Sequence, residues 1–297
     1  MEYNTIVFGS AVTVNINHEN GRITVDGLIT QEEFDRDRND SKNIWKMYKS
    51  YRENDVVVRS GSGYCGVYRF NPAHPIKEDY VESDTLHSTT AEEVAQNFFR
   101  FYPNMFDIYE QKRIILLLRY HDLGEKMDIP DDGSCTLDEK FEMELGNLME
   151  RIYHLPPFMQ EQLIRDFIMF EHAGLEYWSD RDRKIMQFAK LCDKLDAPLG
   201  AFVYELQGRK GSLAFKEKNH GGITDQDKGY IRQTGDDSQA GVWSAHFIDK
   251  YLFYEDVELF IAVIIEACID VRGAVFPWMY EFCQRRGISE GLLSKML

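Results

Sequence analysis

Two histidines and two aspartates have the types and the spacing that suit a divalent metal ion. Thirty-three residues separate the first histidine from an adjacent His-Asp pair, and 70 residues separate that pair from the last aspartate; the four are His87, His121, Asp122 and Asp193. Neutral imidazoles and carboxylates are ligands of such cations, and four of them leave two positions of an octahedral ion for water and a substrate oxygen. We therefore expect a metal centre.

Helices are predicted to bring these residues together. Segment 90–93 (TAEE) has the spacing of a capping box, which predicts a helix that begins there and leaves His87 just before it. Residues 109–121 are apolar on nearly every side, which is typical of a buried helix. Because ionisable groups that lose water need partners, the pair His121-Asp122 at the end of this helix is a candidate site.

Further helices complete a predicted bundle of about five over residues 85–200. One begins at segment 136–139 (TLDE), and its inward face is expected to contain Phe141, Leu145, Leu148 and Ile152. Another covers about residues 158–171. Ser179 is expected to cap the last helix, over residues 180–195, whose final turn contains Asp193. The protein is therefore expected to be mainly α.

Residues 1–77 are expected to form a small β-rich module. Segments 12–16 and 22–25 alternate apolar and polar residues on either side of Asn20-Gly21, a pair that favours a hairpin turn. Two more short strands are predicted over residues 55–59 and 64–68, and a helix over residues 44–52.

Residues 201–297 are expected to pack on the helical core, which spans residues 78–200. Glycine and polar residues dominate up to residue 252 and predict a long loop region. Residues 256–271 are strongly apolar and predict a helix, followed by two shorter ones.

Composition excludes several classes of protein. The 297 residues contain 34 Lys and Arg against 50 Asp and Glu, a net charge of −16, so nucleic acid is not an expected partner. The longest strongly apolar stretch, residues 259–265, is too short to cross a membrane. Five cysteines without a CxxC pair, and a start that lacks the pattern of a signal peptide, predict a cytoplasmic protein.

The segments around the four residues resemble the HD-domain metal-dependent phosphohydrolase superfamily, and within it the bacterial 5′-deoxynucleotidases. The resemblance covers about residues 80–200. It rests on the spacing above and on segments 82–88 (ESDTLHS), 117–125 (LLRYHDLGE), 128–130 (DIP), 171–173 (EHA) and 189–193 (AKLCD). It implies an HD-domain helical bundle, extended here by the N-terminal β-rich module and the C-terminal helices.

The resemblance also implies roles for individual residues. The ligands of one divalent metal ion (Mn, Co, Mg, Zn or Fe) would be His87, His121, Asp122 and Asp193. Glu125 would assist the attacking water together with Asp122, and it follows His121 by one helical turn. Asp128 would bind a sugar hydroxyl, and Glu171 would order the water or the substrate. Asp128 also has a simpler interpretation as a turn residue before Pro130.

The expected activity is removal of phosphate from small phosphomonoesters, with (deoxy)nucleoside 5′-monophosphates as the favoured substrates. Three alternatives stay open: an HD phosphodiesterase, a nucleoside triphosphohydrolase, and a non-catalytic protein that senses nucleotides. A second metal ion on His154 and His172 is a further possibility, since some relatives bind two. The resemblance also allows a homodimer, although no apolar stripe in the sequence requires one.

Overall fold

The computed structural model describes residues 1–40, 43–50, 84–124, 136–172 and 178–206. Most of these residues are helical, and a small three-stranded sheet precedes the helices, in agreement with a mainly α protein. The predicted strands at 55–59 and 64–68, the loop region from 207 and the helix at 256–271 lie outside the described residues. Within the described ranges, no helix is long and apolar enough to cross a membrane.

The sheet is an antiparallel meander of β1 (Glu2–Val7), β2 (Ser10–Ile16) and β3 (Ile23–Asp26). Phe8 and Gly9 connect the first two strands with φ values of 47° and 79°, the left-handed region that a two-residue hairpin turn needs. The predicted hairpin around Asn20-Gly21 is confirmed, and Gly21 has φ 66°. Strand β1 was not predicted from the sequence, and only one of its side chains is fully buried in the structure.

The helices follow the sheet in the chain. They are α1 (Gln31–Asn39), α2 (Asp84–Phe101), α3 (Ile108–Tyr120), α4 (Leu137–Arg151), α5 (Pro157–Glu171) and α6 (Asp180–Leu206). Residues 44–50 are also helical. A 3₁₀ turn, His121–Gly124, directly follows α3, and we call it the His-Asp turn.

Two predicted helix starts are confirmed by their caps. Thr136 and Glu139 form the predicted capping box at α4. The amide of Asp182 donates to Ser179 Oγ at 3.0 Å at the start of α6. The predicted inward face of α4 is buried: Phe141, Leu145, Leu148 and Ile152. These signals are local in sequence, which is why they were readable without the tertiary structure.

The start predicted for α2 was wrong. The helix begins at Asp84, so His87 lies inside its first turns and Thr90 is not a cap. The buried face of α2 runs through His87 at helical spacing and consists of His87, Ala91, Val94, Ala95 and Phe98. The helix extends to the metal-ligand candidate because that residue is buried together with the apolar ones.

The end predicted for α6 was also wrong. The helix continues beyond residue 195 to Leu206, so Asp193 lies in its middle, and residues 201–206 are helical rather than part of a loop. Pro198 and Gly200 are unfavourable inside a helix, so the local sequence does not predict this continuation.

The contacts group the described residues into two compact units. One contains residues 1–50, 84–89 and 112–187, and the other contains residues 90–111 and 188–206, with the gaps given above. The second unit has an aromatic core, in which Phe188 lies 4.8 Å from Phe98 and 4.9 Å from Phe106 between ring centroids. In the first unit, β1 packs on α4, and the rings of Tyr3 and Phe141 meet edge to face at 4.7 Å.

Candidate metal centre

Asp122 joins the two predicted histidine ligands. Its Oδ2 atom lies 3.2 Å from His87 Nε2 and 3.1 Å from His121 Nε2. The two imidazole rings are 5.4 Å apart between centroids, and both histidines are buried. The Nε2 atoms of residues 34 positions apart in the sequence therefore converge on one carboxylate oxygen.

The ring of His121 is held by its other nitrogen. Its Nδ1 atom lies 2.8 Å from the backbone oxygen of Leu118, which can only accept, so Nδ1 carries the proton of this hydrogen bond. The ring of Phe170 packs edge to face on the imidazole at 5.3 Å. Because the ring is held through Nδ1, its Nε2 atom faces Asp122 and can exchange its proton for a cation, which gives the arrangement common to metal-bound histidines.

Asp193 is the third side chain of a buried group of candidate metal ligands. One ligand atom from each of His87, His121 and Asp193 lies within 4.8 Å of the others. Asp193 is 1% exposed, and its Oδ2 atom is 2.9 Å from Lys194 Nζ. Two imidazoles and a buried carboxylate, with Asp122 against both imidazoles, form a donor set that fits a divalent ion. This group could hold a metal ion.

The histidines control the charge of Asp122. Burial acts to raise the pKa of this carboxyl, but the charges and hydrogen bonds of His121 and His87 outweigh it and hold the pKa well below its usual range. Asp122 is therefore a carboxylate at neutral pH, as a metal ligand must be.

The residues predicted to act on the substrate are placed only in part. Glu125 and Asp128 lie outside the described residues. Glu171 is the last residue of α5 and is exposed, and its negative charge acts on a neighbouring buried carboxyl, that of Glu144. The roles given to these three residues stay predictions.

Glu144 was missed by the sequence analysis. It is 8% exposed, and its Oε1 atom lies 3.4 Å from Lys140 Nζ, one helical turn away. Burial raises the pKa of Glu144 to about 7, and the charges of Glu171 and Asp122 act in the same direction, while Lys140 opposes them. A signal was present in the sequence, because this residue falls on the predicted apolar face of α4.

A second buried charge was also missed. Arg113 of α3 donates to Asp166 on α5 at 2.7 Å and to Asp182 on α6 at 2.8 Å. Asp166 is 2% exposed, and burial raises its pKa although Arg113 acts to lower it. This ion-pair network connects three of the helices in the unit that contains the His-Asp turn.

The histidines considered for a second metal ion have other neighbours. His154 Nδ1 lies 2.8 Å from Ser50 Oγ, and burial lowers the pKa of this imidazole. His172 stacks on Tyr3 at 5.6 Å and meets Phe141 edge to face at 5.1 Å. Neither belongs to the group of candidate metal ligands found in the described part of the chain.

Comparisons with known proteins leave the site to be interpreted from its own geometry. No family model, no curated protein and no solved structure matches this chain.

Proposed function

We propose that this protein is a metal-dependent phosphohydrolase of the HD type, which removes phosphate from (deoxy)nucleoside 5′-monophosphates or similar small phosphomonoesters. The observation that carries the proposal is the buried group of His87, His121 and Asp193. The resemblance of the flanking segments adds the reaction class. A cytoplasmic location belongs to the same proposal.

Each ligand residue has a stated task in this proposal. His87 and His121 bind the ion through neutral imidazole nitrogens, while Asp122 and Asp193 bring negative charge. A divalent ion held there supplies positive charge for a phosphoryl group and makes water acidic enough to act as a nucleophile near neutral pH. Because the pKa of Asp122 is low in the metal-free protein, this carboxylate is a weak proton acceptor, and we assign it mainly the role of a ligand. Accepting the proton of the attacking water then falls to Glu125.

The reaction is a hydrolysis and needs no further reactant. Oxygen from water forms the new bond to phosphorus, the bond to the sugar oxygen breaks, and that oxygen receives a proton. The net charge of −16 would repel a nucleotide from an empty site. A divalent ion reverses the sign of the local charge, so an acidic protein can still bind a phosphate monoester.

Phosphate release from a panel of ribo- and deoxynucleoside 5′-monophosphates tests the proposal. The protein is stripped with EDTA and then supplied with Mn²⁺, Co²⁺, Mg²⁺, Zn²⁺ or Fe²⁺. We expect at least one ion to restore release. Asp122→Asn should lower that release by at least about 100-fold. Removing a residue that only orients a ligand typically lowers metal affinity or activity by about 10- to 100-fold, and loss of a ligand itself should cost more. Asp26→Asn, at an exposed position in the sheet, is the matched control.

Other outcomes identify the alternatives. No release with any ion overturns the nucleotidase proposal. Hydrolysis of a diester to a monoester would indicate a phosphodiesterase, and release of triphosphate would indicate a triphosphohydrolase. Thermal stabilisation by a nucleotide without turnover would indicate a sensor.

A further inference from the structure

The His-Asp turn ends against α4, where two side chains bind its last carbonyl groups. Arg151 Nη1 donates to the backbone oxygen of Leu123. Asn147 Nδ2 donates to the backbone oxygen of Gly124 at 3.0 Å. Carbonyls at the end of a helical turn have no partner within the turn, so α4 supplies the hydrogen bonds that the turn itself cannot make.

The backbone of the turn lies directly on the backbone of α4. A Cβ atom added at Gly124 would collide with the carbonyl oxygen of Glu144 and lie 3.2 Å from its Cα atom. Glycine is therefore required for this close approach. Glu144, Asn147 and Arg151 have the i, i+3, i+7 spacing of a single helix face, so the turn rests on one side of α4.

We propose that Asn147 and Arg151 are positioning residues of the metal centre, which hold the His-Asp turn so that His121 and Asp122 meet the other ligands. The inference rests on the proposed metal site and adds residues that the family resemblance does not assign. Both side chains bind the turn within three residues of a ligand, and Arg151 is 9% exposed.

The physical reason is the short length of the turn. It has four residues, so a rotation at its carbonyl end moves both ligands at its other end. Metal sites tolerate errors of only about 0.5 Å in their ligands. Residues that orient ligands from outside the coordination sphere typically change metal affinity by about 10- to 100-fold when they are removed.

Cobalt binding by the full chain tests the proposal. EDTA-stripped protein is titrated with Co²⁺, the visible absorption band is recorded, and thermal unfolding of the metal-free protein is measured alongside. We expect Asn147→Ala to weaken Co²⁺ binding by about tenfold or more and to alter the band. Asn39→Ala is the matched control, because Asn39 also donates from its side-chain amide to a backbone carbonyl, that of Asp35 on α1. It should bind cobalt as the wild type does.

Arg151→Lys provides a second variant, since it keeps the positive charge and lacks the planar fork of donors. We expect weaker cobalt binding from it as well, and it replaces Asn147→Ala if that variant does not fold. Wild-type affinity and an unchanged band in both variants would overturn the positioning role, even if their metal-free melting temperatures fall. A wild-type protein that binds no cobalt would instead overturn the metal centre and the positioning role together.

Discussion

Two carboxyls in one compact unit differ in charge because their neighbours differ. Asp122 faces two histidines, which keep its pKa well below the usual range despite burial. At Glu144, burial outweighs the opposing charge of Lys140 and raises the pKa to about 7, and the charges of Glu171 and Asp122 act in the same direction as burial. The two carboxyls differ because two histidines overcome the effect of burial at Asp122, whereas one lysine does not at Glu144.

Glu144 makes the metal-free protein sensitive to pH. Between pH 4.5 and about 7 the folded protein keeps the carboxyl proton that the unfolded chain has lost, so stability falls as the pH rises through this window and then levels off. Glu144→Gln removes this loss. We expect the stability of the variant relative to wild type to increase by up to about 3 kcal/mol from pH 4.5 to 7.

Urea unfolding in EDTA at a series of pH values measures this effect. Glu161→Gln is the control, because Glu161 is exposed on α5. The free energy of unfolding of this variant should change with pH as that of the wild type does. A constant difference between Glu144→Gln and wild type across the window would show that Glu144 ionises normally.

Helix α4 connects the sheet to the His-Asp turn. On one side, the backbone N–H of Asn4 donates to Glu142 Oε1 at 2.7 Å, and the backbone N–H of Phe8 donates to Glu150 Oε1 at 2.8 Å. Glu142, Gly146 and Glu150 have a spacing of four residues and form the side that receives β1. The face described above, which includes Asn147 and Arg151, receives the turn.

Gly146 allows β1 to approach α4. A Cβ atom there would collide with Thr5 Oγ1 and lie 3.0 Å from the backbone oxygen of Ile6. Alanine normally favours a helix over glycine by about 1 kcal/mol. We nevertheless expect Gly146→Ala to lower the free energy of unfolding by about 1–3 kcal/mol, because the strand must move away.

Chemical unfolding of Gly146→Ala beside Met143→Ala provides the comparison. Met143 is an exposed residue of the same helix, so its replacement should change stability little. Increased stability in Gly146→Ala would mean that β1 moves without cost.

At the scale of the whole molecule, the N-terminal sheet packs on the helix that receives the His-Asp turn. Tyr3 is 4% exposed and contacts Phe141, and Thr5 Oγ1 donates to the backbone oxygen of Glu142 at 2.7 Å. These contacts join residues more than 130 positions apart in the sequence. The first strands therefore contribute to the stability of the unit with the His-Asp turn.

A chain that starts at residue 78 is expected to fold poorly and to bind cobalt weakly. In this chain, α4 would lose the strand that covers Phe141. Glu142 and Glu150 would lose the backbone amides that donate to them. Circular dichroism, thermal unfolding and cobalt titration would detect this. A truncated chain with wild-type melting and cobalt affinity would show instead that residues 1–77 are an attached module, such as one that binds a protein partner.

The sequence alone was sufficient wherever the determining residues are neighbours in the chain. Thr136 and Ser179 mark helix starts through bonds to amides three residues later. Gly21 marks a hairpin turn through its positive φ. Residue types, spacing and the resemblance of the flanking segments predicted His87, His121 and Asp193 as metal ligands, and one ligand atom from each lies within 4.8 Å of the others.

Only the tertiary structure decided the properties that depend on distant neighbours. The start of α2 moved to Asp84 because the buried face of the helix includes His87. Strand β1 forms against β2 and packs on α4, although its own apolar pattern is weak. The raised pKa of Glu144 likewise depends on burial and on charges brought close by folding. Burial and pairing across more than a hundred residues leave no local pattern in the sequence, because they arise only when separate segments pack together.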